Sequence, residues 1–323
     1  MPADRCRQPL RNASVRLRLR TQPRALNRRL EVPAARRRSM AMWSRLNAAT
    51  EAQFARVLPP QLTAGATAGD VLCVVPYLAN HIHLHEALRS IAEQTTKPGR
   101  VVVAIDNAAA DHAWSEVESA CRNLADADIG CEIQAFSGIN GPYRMLNQII
   151  AANGDVSHIW LHDSDDISHH SRLSKQLAFM ERHALDICSC FELRIRASAV
   201  ELVDYPLHVS RALNHEPGHC MLWPASLIRR QLWEDLNGCS DHHRFGADTE
   251  FQLRACFIAR MANYPAYLYA RRIRETSLTG SPETGLRSWQ RGYITSLYKA
   301  DYYRRQMMKQ DGQPIELQPR FKT

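Results

Sequence analysis

The stretch Ser157-His-Ile-Trp-Leu-His-Asp-Ser-Asp-Asp166 is an apolar run that ends in three carboxylates. Residues 159–161 have the pattern of a short buried strand, and Asp163, Asp165 and Asp166 follow at its carboxyl end. Open α/β sheets bind ligands in the crevice beyond the carboxyl ends of their strands. Because three neighbouring acidic side chains repel one another, this pattern favours a hard divalent cation, Mg²⁺ or Mn²⁺. The alternative is a solvated acidic turn that caps the next helix.

Apolar strands and amphipathic helices alternate before this stretch. Residues 71–75 and 101–105 are continuous apolar runs, and apolar residues repeat at helical spacing between them, over 84–91. With no hairpin signal between the runs, this order predicts a parallel sheet with right-handed crossovers. The second run ends in Asp106, which we therefore expect at the same sheet edge as the three aspartates.

The pattern is less regular after a strand predicted at 187–195. Residues 198–218 are expected to form an irregular connection that folds over the crevice. A helix is predicted over 227–236, and a further helix opens at 245–251. An aromatic-rich helical segment follows near the C-terminus.

The composition is that of a globular chain. With 323 residues and 45% hydrophobic content, it forms one large domain or two modest ones. No run approaches the length of a membrane span, and no apolar signal-peptide core follows the N-terminal charges, so we expect a cytoplasmic protein. The nine cysteines include no C-x-x-C pair, which favours reduced, mostly buried thiols over a zinc site or a disulfide framework.

The basic charge belongs to the N-terminal residues. Residues 1–40 contain twelve arginines and two acidic residues, a net charge of +10, whereas the whole chain carries +8, which leaves about −2 for the rest. This Arg-rich leader is predicted to be disordered. It could be an arm for nucleic acid or anionic lipid, a targeting peptide, or the product of a mis-assigned start whose true position is Met40 or Met42, which we favour.

Four motifs, in chain order over about residues 71–279, resemble the inverting GT-A glycosyltransferases of family 2. The last carries Gly-Ala-Asp-Thr-Glu-Phe, similar to the family's GEDTEFLLR, and the third, Leu-His-Asp-Ser-Asp-Asp, is similar to LDADD. The first two, Val-Val-Pro-Tyr and Ile-Asp-Asn, take the places of IIPTYN and VDDGS. The four motifs lie at 74–77, 105–107, 161–166 and 246–251.

The resemblance implies an α/β protein of the GT-A class: a Rossmann-like nucleotide-binding, mostly parallel sheet flanked by helices, with a helical C-terminal extension. Its expected divisions are the leader 1–40, an N-terminal helix and linker 41–69, the glycosyltransferase domain 70–280 and a C-terminal helical segment 281–323.

The resemblance also implies a site. A nucleotide-sugar donor, most often a UDP-sugar, would lie across the strand ends, with Pro76 and Tyr77 behind the base and Asp106 accepting a hydrogen bond from it. Asp163 and Asp165 would hold the ribose and the Mn²⁺ or Mg²⁺, with Asp166 as a further metal ligand. Asp248 would take the proton of the acceptor hydroxyl, and attack opposite the diphosphate would invert the anomeric centre.

Three departures from the family pattern concern the substrates. Ala247 replaces a Glu that commonly touches the acceptor. Arg144 is the nearest basic group where an Arg-Asn pair is usual, and we expect it to bind the donor. Arg274 stands where the family often has a His; a guanidinium cannot ligate a cation but can bind phosphate oxygens.

The expected reaction is metal-dependent transfer of a sugar to a hydroxyl of a glycan or lipid-linked acceptor. Peripheral association with the inner face of a membrane, through partners or the aromatic C-terminus, is compatible with the family's usual role, and no nucleic-acid partner is expected. The alternatives are a non-catalytic GT-A-like partner subunit and a binder of nucleic acid or anionic surfaces through the leader. The donor sugar and the acceptor are not fixed by these patterns.

Overall fold

The computed structural model describes residues 28–30, 36–58, 68–78, 83–106, 111–138, 140–274 and 277–323. Most of the predicted leader, and Asn107 of the second motif, lie outside the described residues. The strands are β1 (Arg28–Leu30), β2 (Ala68–Leu78), β3 (Pro98–Asp106), β4 (Gly130–Ala135), β5 (His158–Leu161), β6 (Ile167–Ser168), β7 (Ile187–Ile195), β8 (Val200–Val203), β9 (Leu227–Arg229) and β10 (Met261–Arg272). The helices are α1 (Arg36–Gln53), α2 (Leu84–Ala92), α3 (Asp111–Ala125), α4 (Pro142–Ala152), α5 (Arg172–His183), α6 (Val209–His215), α7 (Arg230–Asp235), α8 (Ala247–Ala255) and α9 (Trp289–Gln310), with a 3₁₀ turn at Trp223–Ala225.

The strands form one sheet in the order β1-β8-β7-β9-β5-β2-β3-β4, and β10 pairs with both β6 and β7. Strands β5, β2, β3 and β4 are parallel neighbours, as are β7 and β10. The shorter strands β1, β6, β8 and β9 pair antiparallel. The predicted α/β order of the first half is confirmed, and the carboxyl ends of β5, β2 and β3 lie side by side.

Helices cover both faces of the sheet, which explains why its central strands are apolar without interruption. Leu72 and Val74 point into one hydrophobic cluster, which includes residues of α4 and α8. Cys73 and Val75 point into the other, which includes residues of α2, α3 and α5. The alternation follows from the two-residue period of a strand.

The second half is more regular than the sequence pattern predicts. The connection expected over 198–218 contains β8 and α6, and the helix expected over 227–236 begins with strand β9. Strand β10 was not predicted although residues 261–270 are buried, because Pro265 interrupts its pattern. One register shift, between Tyr264 and Tyr267, spans this proline and accommodates it, and a second follows between Tyr267 and Tyr269.

The C-terminal helical extension is confirmed by α9, whose buried residues pack on the first cluster. The chain then continues in extended form, and Leu317 and Phe321 pack against the same cluster. The carbonyl of Phe321 accepts a hydrogen bond of 2.8 Å from the backbone N–H of Asp241. None of the described helices is long and apolar enough to cross a membrane.

Candidate active site

The three aspartates lie together at the carboxyl end of β5. One oxygen from each of Asp163, Asp165 and Asp166 lies within 4.8 Å of the other two. They line a cavity of about 300 Å³, here called the aspartate cavity, that also includes Pro76 and Asp106 from the ends of β2 and β3. The structure therefore brings together the strand ends that the sequence predicted would meet.

The surroundings of this cluster raise the free energy of its ionised carboxylates. Burial, together with the neighbouring carboxylate of Asp165, raises the pKa of Asp163 to about 7. The same two causes raise the pKa of Asp166 well above its ordinary value. Within the described part of the chain, Oδ2 of Asp166 is buried and has no hydrogen-bond partner. Clustered carboxylate oxygens and an unsatisfied acceptor are what a hard divalent cation requires, so these residues fit Mg²⁺ or Mn²⁺.

Arginines at the end of β10 contact the same cluster, because β10 pairs antiparallel with β6 just after the aspartates. Arg274 forms an ion pair with Oδ2 of Asp165, at 2.8 Å from Nε and 2.5 Å from a terminal nitrogen. The backbone N–H of Arg272 donates to Oδ1 of Asp166 at 2.8 Å. Arg274 was expected to bind phosphate; here it pairs with an aspartate and also lines the aspartate cavity.

Asp106 and Tyr77, which are predicted to contact the base of the nucleotide, both form hydrogen bonds within the protein. Oδ1 of Asp106 accepts from the backbone N–H of Asn140 at 2.7 Å, and Oδ2 accepts from that of Gly141 at 2.9 Å. Tyr77 is buried in the core, and its hydroxyl donates to Glu116 at 2.8 Å. Each carboxylate oxygen has two lone pairs, so Asp106 keeps acceptor capacity toward the cavity that it lines.

A buried arginine supports the strand end that carries the aspartates. The guanidinium of Arg172 donates to the carbonyl of Leu161 at 3.0 Å and lies 3.9 Å from the centre of the Trp160 ring. It also lies 5.0 Å from the ring centre of Tyr269. The Tyr269 hydroxyl accepts from the backbone N–H of Asp163 at 3.0 Å. Arg172 and Tyr269 thus fix the backbone on either side of His162, and no carboxylate of the residues that the structure describes pairs with the arginine.

A second cavity, of about 150 Å³, contains Asp248 at the start of α8 and is here called the Asp248 cavity. It shares Pro76, Asp163 and Arg244 with the aspartate cavity. Among the described residues, Oδ1 of Asp248 is buried without a hydrogen-bond partner. A carboxylate with an unused acceptor beside the aspartate cavity is positioned to accept a proton from a bound molecule.

His219 lines the Asp248 cavity, and no motif of the sequence points to it. Its Nδ1 lies 3.5 Å from Oδ2 of Asp248 and 3.4 Å from the side-chain nitrogen of Gln252. Burial lowers the pKa of His219, and the nearby Asp248 opposes this shift. Ala247, which replaces the family's Glu, is buried in the core.

Glu250 and Arg254 form a buried ion pair on α8, with Nε of Arg254 2.7 Å from Oε1 of Glu250. Arg254 also donates to the carbonyls of Gly238, at 2.7 Å, and Leu317, at 3.1 Å. This pair ties α8 to the preceding loop and to the C-terminal tail, so it positions the helix that carries Asp248.

Arg144 does not line either cavity; its guanidinium donates to the hydroxyl of Thr323 at 2.6 Å. Arg244 lines both, and lies 3.9 Å from Asp106. Gly141 makes room for it, because a Cβ at that residue would lie 2.8 Å from Cγ of Arg244 and its φ of +77° disfavours other residues. Nothing in the local sequence around Arg244 indicates this role.

Residues 73–214 match the family model described as Glycosyl transferase family 2. Residues 73–214 form a glycosyl transferase family 2 domain. The match includes β3, the aspartate cluster and the part of β2 from Cys73 onward, and it ends before Asp248. No curated protein matches the sequence of this chain.

Solved structures resemble the family 2 glycosyltransferase domain at low identity. The structure of S. aureus TarS 1–349 in complex with UDP-GlcNAc has a TM-score of 0.52 at 17% identity, and the match covers 64% of this chain and 60% of that one. TarS 1–349 in complex with UDP has a TM-score of 0.51 at 14% identity, over 73% and 72% of the two chains. A third, the mannosyltransferase PcManGT from Pyrobaculum calidifontis with GDP-Man and Mn²⁺, has a TM-score of 0.49 at 14% identity, over 85% and 76%. The TarS likeness shows that the fold is GT-A.

Proposed function

We propose that this protein transfers a sugar from a nucleotide-diphosphate sugar to an acceptor hydroxyl, with inversion at the anomeric carbon. The observation that carries the proposal is the adjacency of the two cavities. The aspartate cluster lies in one, the carboxylate of Asp248 lies in the other, and Asp163 borders both. The TarS complexes, whose ligands are UDP and UDP-GlcNAc, favour a UDP-sugar as the donor.

The aspartate cavity is the proposed donor site. Pro76, Tyr77 and Asp106, which all line this cavity, would contact the nucleoside, and Asp163 would contact the ribose. Asp163, Asp165 and Asp166 would hold a divalent cation, which when bound would neutralise the diphosphate as it leaves. Arg244 borders the same space and offers a guanidinium to the phosphate oxygens.

Asp248 is the proposed general base. A sugar hydroxyl is a weak nucleophile until a positioned group takes its proton. Oδ1 of Asp248 would accept that proton while the hydroxyl oxygen bonds to the anomeric carbon. The bond from that carbon to the diphosphate oxygen breaks, and its electron pair leaves with the nucleoside diphosphate. His219 contacts the other carboxylate oxygen, Oδ2, and would orient the carboxylate.

Thermal shift with UDP-, GDP- and dTDP-sugars, each with and without Mn²⁺, tests the donor site directly. A ligand present at one hundred times its Kd stabilises a protein by roughly 2.7 kcal/mol. We expect one nucleotide to raise Tm, and the rise to be larger with Mn²⁺. If none of the nucleotides changes Tm, or if chelation of the metal leaves the shift unchanged, the metal-dependent donor site is wrong.

Product analysis tests the chemistry. The anomeric configuration of the transferred sugar, followed by NMR from the start of the reaction, should be opposite to that of the donor. Retention would contradict direct attack with Asp248 as base, even if nucleotide binding is as expected.

A further inference from the structure

A third cavity, of about 740 Å³, lies beside the other two. No acidic side chain is among the described residues that line it. We call it the arginine cavity, because five of those residues are Arg194, Arg196, Arg271, Arg274 and Arg287.

The strand pairing places two of these guanidinium groups together. Arg194 on β7 and Arg271 on β10 are direct partners in the parallel ladder, so their side chains are on the same face of the sheet. Like charges at directly opposed positions are destabilising. Glu192 accepts from both, at 2.9 Å from Nε of Arg194 and 2.8 Å from Nε of Arg271. One buried carboxylate therefore holds two guanidinium groups in fixed positions.

Arg196 and Arg287 add charge from outside the paired strands. Arg196 follows the end of β7, where it pairs with Glu201 at 3.0 Å and keeps 44% of its side chain exposed. Arg287 belongs to the loop before α9 and is exposed. A cavity lined by several guanidinium groups attracts phosphate oxygens, which match the fork of an arginine in pairs of hydrogen bonds.

The arginine cavity adjoins the proposed reaction centre. Arg271 and Thr279 line all three cavities, so the wall that they form separates the arginine cavity from the aspartates on one side and from Asp248 on the other. An acceptor that reaches Asp248 across this wall would extend into the arginine cavity.

We propose that the arginine cavity binds a phosphate group of the acceptor, and therefore that the acceptor is a phosphate-bearing molecule. This inference rests on the proposed function, since it assigns the second substrate of the same reaction. The phosphate could belong to a soluble phosphorylated glycan or to a lipid headgroup; the chemistry that the arginines recognise is the same.

The probe is inorganic phosphate, which is titrated into the full chain saturated with UDP and Mg²⁺. Chloride at equal ionic strength serves as the control. We expect phosphate to raise Tm beyond the shift that UDP gives. The double variant Arg196→Gln with Arg287→Gln should weaken phosphate binding about tenfold or more, because each charge-assisted hydrogen bond contributes roughly a factor of ten. It should leave the UDP shift unchanged.

The control variant Arg182→Gln with Arg304→Gln removes the same charge from exposed helical positions and should bind phosphate as the wild type does. If the double variant folds poorly, Arg287→Gln alone is measured, since its side chain is exposed. No phosphate shift, or an equal shift in the cavity and control variants, would overturn the inference. Competition between phosphate and UDP would assign the arginines to the donor diphosphate and would also overturn it. A missing UDP shift, by contrast, counts against the proposed function itself.

Vesicles distinguish the two sources of phosphate. Capture by phosphatidylcholine vesicles that contain phosphatidic acid, but not by phosphatidylcholine alone, would identify a lipid headgroup if the Arg196 and Arg287 substitutions abolish it. A phosphate shift without vesicle capture would identify a soluble acceptor. Both results support a phosphate-binding cavity.

Discussion

Nδ1 of His219 lies 3.5 Å from Oδ2 of Asp248. This contact joins the segment that precedes the 3₁₀ turn to the start of α8. The other oxygen of Asp248 is buried and, among the described residues, has no partner. One side of the carboxylate is thus oriented by the protein, while the other is left for an incoming hydroxyl.

Replacing Asp248 by Asn removes the proposed base while keeping its shape. We expect sugar transfer to fall by about 10²–10⁴, the usual contribution of a general base. UDP binding, measured by thermal shift, should be unchanged because the donor occupies the other cavity. Asp235→Asn, at the exposed end of α7, is the matched control. Unchanged transfer in Asp248→Asn would eliminate this residue as the base.

Asp163→Asn tests the aspartate cluster as a cation site. The wild-type protein should gain thermal stability on addition of Mn²⁺, by roughly 2.7 kcal/mol at one hundred times the Kd. The variant should lose most of this gain, since it removes one charged ligand. Asp126→Asn, an exposed position after α3, should respond to Mn²⁺ as the wild type does. An equal gain in both variants would place the cation elsewhere.

Substitutions of Arg244 and Arg144 test which of the two arginines binds the donor. The structure favours Arg244, and the sequence motif favours Arg144. Because Arg244 lines both cavities, Arg244→Gln should lower kcat/KM for the donor about tenfold. Arg144 bonds to Thr323 outside them, so Arg144→Gln should change kcat/KM by less than about twofold. The reverse order of effects would support the sequence-based expectation for Arg144.

Glu250→Gln tests the ion pair that holds α8. The substitution leaves the buried Arg254 guanidinium without its carboxylate, and breaking such a pair costs about 3–5 kcal/mol. Urea unfolding should show this loss as a lower midpoint at constant m. Glu234→Gln serves as the control, because its pair with Arg230 is half exposed. Equal midpoints for the two variants would mean that the buried pair does not stabilise the fold.

Because His169 is buried, we expect acid to lower the free energy of unfolding. Burial lowers its pKa to about 3, and the neighbouring His170 and Lys175 act in the same direction. Because the unfolded chain binds this proton first, near pH 6.5, stability is present above that pH and is lost as the pH falls toward 3. At pH 4 the loss amounts to roughly 3 kcal/mol.

The check is the urea midpoint as a function of pH for the wild type and His169→Asn. The wild type should lose stability between pH 6.5 and 4, and the variant should lose distinctly less over the same interval. Parallel curves would show that His169 does not bind its proton at a lower pH in the folded state.

The aspartate cluster could be predicted because its signal is local. Asp163 and Asp165 follow an apolar run directly, and parallel strands place their ends at one edge, so adjacency to Asp106 follows from the strand order alone. The residues of the aspartate cluster are therefore readable from a single stretch of sequence.

Three other side chains of the site, Arg244, His219 and Arg271, could not be predicted in this way. Arg244 and His219 lie on irregular segments, and their positions depend on tertiary contacts such as the approach of Arg244 to Gly141. Arg271 belongs to β10, whose pattern is interrupted by Pro265. Arg144 is close in sequence to the position of the family's Arg-Asn pair, yet its side chain extends toward Thr323.

The wall formed by Arg271 and Thr279 has a kinetic consequence. If Arg271 or Thr279 shifts when one cavity fills, the shapes of the two adjoining cavities change as well. Binding in one cavity would therefore change the affinity of the next, and initial-rate measurements should show that the apparent KM for one substrate depends on the concentration of the other. The end of β10 and the loop that follows it would in that way couple the binding of donor and acceptor.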